Sequence, residues 1–187
     1  MGLVIFPVVL ALLVAVAVMA YNRVVALGQR SAEAWSDVDV QLKRRTDLVR
    51  SLVESVKGYA DHERGAFEEV VRARGAAVNA ETHEARGRTE GQLGDALRHL
   101  LAVAELYPDL MANERFQSLQ ESLRQIEDEI ESARRRYNAV VRDLNTAVDS
   151  FPANRMALVF RFVKREYFEL DRPEERQVPT VSFPGRA

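Results

Sequence analysis

The sequence predicts an all-α protein: an N-terminal transmembrane helix followed by an antiparallel up-and-down four-helix bundle with two long and two short helices. Three observations carry this expectation. From Gly2 to Tyr21 there are twenty residues, rich in Leu, Val and Ala, with no charged side chain. Beyond Arg23 the apolar residues recur three and four positions apart over long stretches, the spacing of bundled helices rather than strands. The 187 residues include 6 prolines and no cysteine, so long helices are seldom interrupted and no disulfide framework exists.

As a helix, the apolar run measures about 30 Å, the thickness of a bilayer's hydrocarbon core. Pro7 lies in its first turns, where the backbone N–H it lacks has no helical partner. No basic segment precedes the run, it is longer than a signal-peptide core, and it flows into Tyr21-Asn22-Arg23, an interfacial flank. These features favour an anchor over residues 1–22; the competing reading is a signal peptide cleaved after Ala20. Arg23, Arg30 and the cluster Lys43, Arg44, Arg45 all follow the run, so the positive-inside rule puts the body in the cytoplasm. A net charge of -2 gives no electrostatic basis for a nucleic-acid partner.

The bundle is expected over residues 23–151. Its first long helix carries Val24, Trp35, Val38, Leu42, Val49, Leu52, Val56 and Tyr59, with Arg45 interrupting the stripe. Gly58 ends it, unless it is absorbed in one continuous helix, and Asp61 caps a short helix from His62 to about Ala80. Four glycines between Gly75 and Gly94 mark a loop, and a second short helix follows with Leu93, Leu97, Leu100, Leu101 and Ala104, ended by Pro108. The last long helix, capped by Asn113 and stopped by Pro152, carries Phe116, Leu119, Leu123, Ile126, Ile130, Ala133, Tyr137, Val140, Leu144, Ala147 and Phe151. Both long helices span thirty-six residues, about 54 Å, against about 25–30 Å for the short pair. The bundle is therefore expected to be four-helical only far from the membrane, leaving near it a two-helix stalk with less covered outer faces, a place for self-association or a protein partner unless the loop 75–94 packs there instead.

Catalytic chemistry finds no support. His62-Glu63 and His83-Glu84 begin like a zinc-protease motif, but the second histidine is replaced by Ala66 and Gly87. With three scattered histidines and no cysteine, neither a metal nor another cofactor is expected. Phosphate-loop and nucleophile-elbow motifs are absent too. Arg134-Arg135-Arg136 follows Glu127, Asp128, Glu129 and Glu131 on one helix, which points to intrahelical ion pairs.

Two clusters stand out. Arg45 would sit in the seam of the first helix, where a lone buried charge is costly. Either it joins Asn138 and Asn145 in a polar layer that sets helix register, with Glu131 and Asp128 as counter-ions, or it reaches solvent along its aliphatic stem. The segment 152–170 interleaves basic and aromatic residues, among them Arg155, Phe160, Arg161, Phe162, Lys164 and Arg165. The last helix returns toward the bilayer, so these side chains suit anionic headgroups; packing on the bundle end is the alternative, and both can hold. Residues 171–187 read as an extended tail, with Val181-Ser182-Phe183 as a docking strip.

Tyr21-Asn22-Arg23, the run Glu33-Ala34-Trp35-Ser36-Asp37-Val38-Asp39-Val40-Gln41-Leu42, Val56-Lys57-Gly58-Tyr59-Ala60, His62-Glu63, Ala112-Asn113-Glu114, Arg136-Tyr137-Asn138, Asn145, Phe151-Pro152, Tyr167-Phe168 and Val181-Ser182-Phe183 occur in the order found in one family. By them the chain resembles the LemA family of bacterial membrane proteins along essentially its whole length. The resemblance implies an anchor and an antiparallel helical bundle, and no catalytic residues. It places the protein in the bacterial inner membrane and offers an HtpX-type membrane protease as a partner. Family members often have Pro-Asn where this chain has Arg50-Ser51, and Gly where it has Arg161, which implies a straighter first helix and no glycine for a tight turn. The function expected is a membrane-anchored, non-enzymatic interaction, scaffold or regulatory component of the cell envelope. A transmembrane sensor is the alternative, with little before the anchor to meet a ligand outside; an enzyme ranks third.

Overall fold

The structure is a computed structural model describing residues 2–59 and 63–169, with side chains from residue 5 onward. Among the described residues there is no strand. The chain forms a long N-terminal apolar helix that continues into a helical bundle.

Helix α1 runs unbroken from Gly2 to Lys57, so the apolar run and the first bundle helix are one element. Nothing in residues 16–35 interrupts it, since Gly28 is its one glycine there and it holds no proline. No break occurs at Arg50-Ser51 either. Its apolar side chains from Ile5 to Val14 are exposed, as a lipid-facing segment requires, and the helix is long and apolar enough to cross a membrane.

Helices α2 (Arg64–Val78) and α3 (His83–Ala104) form the short pair, and α4 (Pro108–Met111) is a single turn started by Pro108 at its first position. Helix α5 (Glu114–Asp149) returns along α1, and Asn113 caps it by accepting from the N–H groups of Arg115 (3.0 Å) and Phe116 (3.2 Å). A short α6 (Ala153–Phe160) follows. The cap proposed at Asp61, the start at His62 and the tail 171–187 with Val181-Ser182-Phe183 lie outside the described residues.

The stretch 75–94, expected to be a loop, is helical except for 79–82. Thr82 opens α3 by accepting from Ala85 N–H at 3.1 Å. Two of its glycines, Gly87 and Gly94, serve close approach rather than turning. A Cβ on Gly87 would lie 2.1 Å from the carbonyl oxygen of Glu169, and one on Gly94 would lie 3.2 Å from the Arg45 guanidinium.

Three clusters make the core. Far from the anchor, Val49, Leu52 and Val56 pack with Phe67 and Val70 of α2, Leu93, Leu97 and Leu100 of α3, and Phe116 and Leu123 of α5. This is the four-helical end. In the middle, Val38 and Leu42 meet Ile130, Ala133, Tyr137 and Val141. Val141, not Val140, is buried, because a straight helix drifts off a strict seven-residue repeat. At the anchor end Ala20 and Val24 meet Leu144, Ala147 and Ala153. Phe151 falls past α5 and is exposed.

The stalk, expected to have less covered outer faces, is covered on one side. Residues 162–169 leave α6, run back up the α1–α5 seam in extended form, and cover one side of it. Phe168 ends this strap fully buried in the middle cluster. The hydrophobic face of two paired helices is too wide for the pair alone to cover, and the strap supplies the missing side.

Candidate interaction site

At the anchor end, α6 packs against both α1 and α5. Ala153 and Ala157 face inward, while Leu158, Val159 and Phe160 face outward. The Tyr21 ring lies 4.7 Å from that of Phe160 and 5.8 Å from that of Phe162, which puts α6 level with the end of the apolar run. Phe151, Val163 and the basic residues Arg155, Arg161 and Lys164 are exposed around it. Lys164 also pairs with Asp149 at 2.7 Å. The outcome is an apolar patch ringed by cations at one level of the molecule.

The reversal from α6 into the strap is made by Arg161, whose φ of 55° and ψ of 40° are left-handed. Phe162 N–H then donates to Ala157 O at 2.9 Å, closing the helix end. A tight turn therefore forms without glycine, at a cost of about 1–2 kcal/mol.

Asn138 and Asn145 hold the strap. The Asn145 side chain donates to Arg165 O and accepts from Arg165 N–H, both at 2.9 Å. Asn138 does the same for Phe168, donating at 3.0 Å and accepting at 2.9 Å. The two asparagines are seven residues apart, about 10.5 Å along a helix, and their targets three residues apart, about 10 Å along an extended chain. Tyr137 adds a bond from its hydroxyl to Glu166 O at 3.0 Å. Around Phe168 the rings of Trp35 (5.2 Å), Tyr137 and His83 gather, with His83 3.9 Å from Trp35. Burial lowers the His83 pKa, Glu166 raises it less, and Arg165 lowers it further.

Arg45 lies elsewhere, in contact with neither asparagine. It is 3% exposed and donates through one terminal nitrogen to the Glu90 carboxylate (3.0 Å) and carbonyl (3.3 Å), while its Nε meets Glu127 at 2.8 Å. Burial raises the Glu90 pKa, and the Arg45 charge opposes this only in part. Among the described residues Glu90 Oε1 has no hydrogen-bond partner, and a recess of about 330 Å³ opens beside the group toward Asp95, Arg98, Arg124 and Asp128. Glu131 instead pairs with Arg135. Glu90 was hidden from sequence reasoning because it stands in the glycine-rich stretch; its one signal is an acidic residue among the small ones of α3.

Among the described residues no group of three or more His, Asp or Glu side chains is arranged to hold a metal ion. The described side chains thus form three features: a seam that binds the strap's main chain, a charged polar core and a mixed apolar and basic end.

Comparison with known proteins finds relatives that align with most of the chain. Magnetosome proteins MamQ 1 and MamQ 2 of Paramagnetospirillum magneticum are each 25% identical over 182 residues, an alignment covering 83% of this chain and 67% of theirs. Magnetosome protein MamQ of Magnetospirillum gryphiswaldense is 24% identical over 176 residues, covering 80% of this chain and 65% of its own. The LemA family profile matches residues 34–183, from the Trp35 region through the strap and beyond it, and the chain belongs to the LemA family.

Proposed function

We propose that this protein is a membrane-anchored, non-enzymatic interaction component of the bacterial cell envelope, its bundle on the cytoplasmic face, acting as a scaffold or regulator of other proteins. The observation that carries the reading is the placement of α6 beside Tyr21: an exposed apolar patch with Arg155, Arg161 and Lys164 stands level with the end of the apolar run. Anionic headgroups and buried apolar area together stabilise such a surface contact. The uninterrupted α1 supports the sensor reading as second choice, since it joins the span rigidly to the bundle.

Co-purification of the full chain from membranes, followed by mass spectrometry, tests the scaffold reading. Reproducible partners, with an HtpX-type membrane protease among the first to look for, are the expected result. Absence of any partner together with turnover in a substrate screen would sink it. A protease-accessibility assay on sealed vesicles tests the cytoplasmic placement.

A further inference from the structure

The strap covers one side of the α1–α5 seam near the anchor and leaves the other side open. On that open side two recesses meet end to end, since Arg23 of α1 and Thr146 of α5 line both. The lower, of about 290 Å³, lies at the level of the apolar run, between Val16, Met19 and Ala20 of α1 and Ala147, Phe151 and Ala153 opposite them. The upper, of about 460 Å³, is bounded by Ala26 and Arg30 of α1 and by Asp143 of α5. Alanine at 20, 26, 147 and 153 leaves between the helices the space that longer side chains would fill. Arg23, Arg30 and Asp143 are exposed, and among the described residues their side chains make no hydrogen bond or ion pair. We propose that this furrow binds one phospholipid whose headgroup carries a primary ammonium, with an acyl chain in the lower recess, the phosphate at Arg23 and Thr146, and the ammonium at Asp143.

Depth, charge and spacing each point to this occupant. Arg23 stands two residues past Tyr21, about 3 Å beyond the end of the apolar run, within the polar layer of about 5–7 Å on each face of a bilayer's hydrocarbon core. Helix α5 runs toward the bilayer, so Asp143 stands about 4.5 Å farther from lipid than Thr146. Apolar surface, then a cation with a hydroxyl, then a carboxylate is the order of acyl chain, phosphate and ammonium in such a lipid. Side chains on a helix lean toward its N-terminus, which on α1 is the membrane side, so Arg30 offers the phosphate a second guanidinium from above. A guanidinium only donates and a carboxylate only accepts, so Asp143 selects a headgroup that ends in charged N–H donors. A trimethylated ammonium has no N–H to give, and a glycerol headgroup brings no cation to the carboxylate. Val16 and Met19 open the lower end to the bilayer, which lets a lipid enter sideways. The inference rests on the membrane-anchored reading above and needs neither the outward face of α6 nor a protein partner.

Full-length protein in detergent micelles, titrated with dioleoyl phospholipids that differ only in headgroup, is measured by native mass spectrometry, which counts lipids bound to the 21.1 kDa chain. The expected result is one tight molecule of phosphatidylethanolamine per chain, with phosphatidylcholine and phosphatidylglycerol each about threefold to fivefold weaker, the size of one exposed charge pair. Asp143→Ala should remove that preference, and Arg23→Gln should weaken all three lipids. Thr146→Trp puts a large ring at the neck shared by both recesses, from an exposed position, and should abolish the tight molecule. Arg155→Glu with Lys164→Glu should leave it in place. Equal affinity for the three lipids overturns the proposal, as does a preference for phosphatidylglycerol or one that survives Asp143→Ala. Loss of the tight molecule in the Arg155→Glu, Lys164→Glu variant also overturns it, because the lipid then sits on the α6 patch. Circular dichroism checks the helical fold of each variant, and if Thr146→Trp misfolds, Ala26→Phe, also at an exposed site, replaces it. Co-purified proteins are scored separately, so the scaffold reading and the lipid site can each fail without the other.

Discussion

The side chain of Asn138 and the main chain of Phe168 exchange two hydrogen bonds, one given at 3.0 Å and one received at 2.9 Å, across thirty residues of sequence. That pairing gives an extended segment the satisfaction a β-ladder would supply, from a helix that has no main-chain groups to spare. Asn138→Ala leaves the Phe168 N–H and C=O without these partners and should cost about 1–3 kcal/mol in chemical denaturation. Hydrogen exchange at residues 165–168 should accelerate, while α2 and α3 stay protected.

Arg161 holds a left-handed backbone that L side chains resist. Arg161→Gly should raise stability by about 0.5–1 kcal/mol, the relief of strain less the freedom glycine gains when unfolded. A fall in melting temperature would mean that the Arg161 side chain contributes more than its backbone costs.

Arg45 and Glu90 are both almost completely buried. Arg45→Leu strands the Glu90 carboxylate and should cost about 3–5 kcal/mol, whereas Arg45→Leu with Glu90→Leu should recover most of the loss. The raised Glu90 pKa fixes the sign of the pH effect: its contribution is present at low pH and lost as pH rises through the folded value. Arg45→Leu should therefore be more damaging at pH 8 than at pH 5, as read from urea midpoints.

His83 has the opposite sign. Its pKa lies below the ordinary 6.5, so its contribution is present above that pH and lost as pH falls through the depressed folded value. Melting temperature should drop on acidification below about pH 6.5, and less steeply in His83→Gln.

The α6 patch is tested by fluorescence. Trp35 is the sole tryptophan, so Trp35→Phe with Leu158→Trp reports from α6 alone. Brominated lipids in reconstituted bilayers should quench it, and Arg155→Glu with Lys164→Glu should weaken the quenching in anionic membranes. An emission indifferent to brominated lipid would remove α6 from the membrane surface.

The long helices were legible because each writes its buried face as a repeat, and Asn113 announces itself as a cap. Arg45 was legible as an interruption of that repeat, but its partners were not, since Glu90 comes from α3 and burial there depends on tertiary approach. The strap left no periodic trace. Phe162, Lys164, Arg165 and Phe168 read as a basic and aromatic strip, and the burial of Phe168 is decided by asparagines far away in sequence. Glycines at 87 and 94 signalled flexibility by composition, whereas their physical role is room for another segment's atoms.

An α1 without a hinge carries azimuth as well as height. Ala20 and Val24 meet the anchor end of α5 and α6, while Val38 and Leu42 meet its middle, on one rigid rod. A single residue inserted between them would rotate one set about 100° against the other and lift it about 1.5 Å. The direction in which the bundle leans, and the side of the anchor on which α6 lies, are thus written into the phase of one helix.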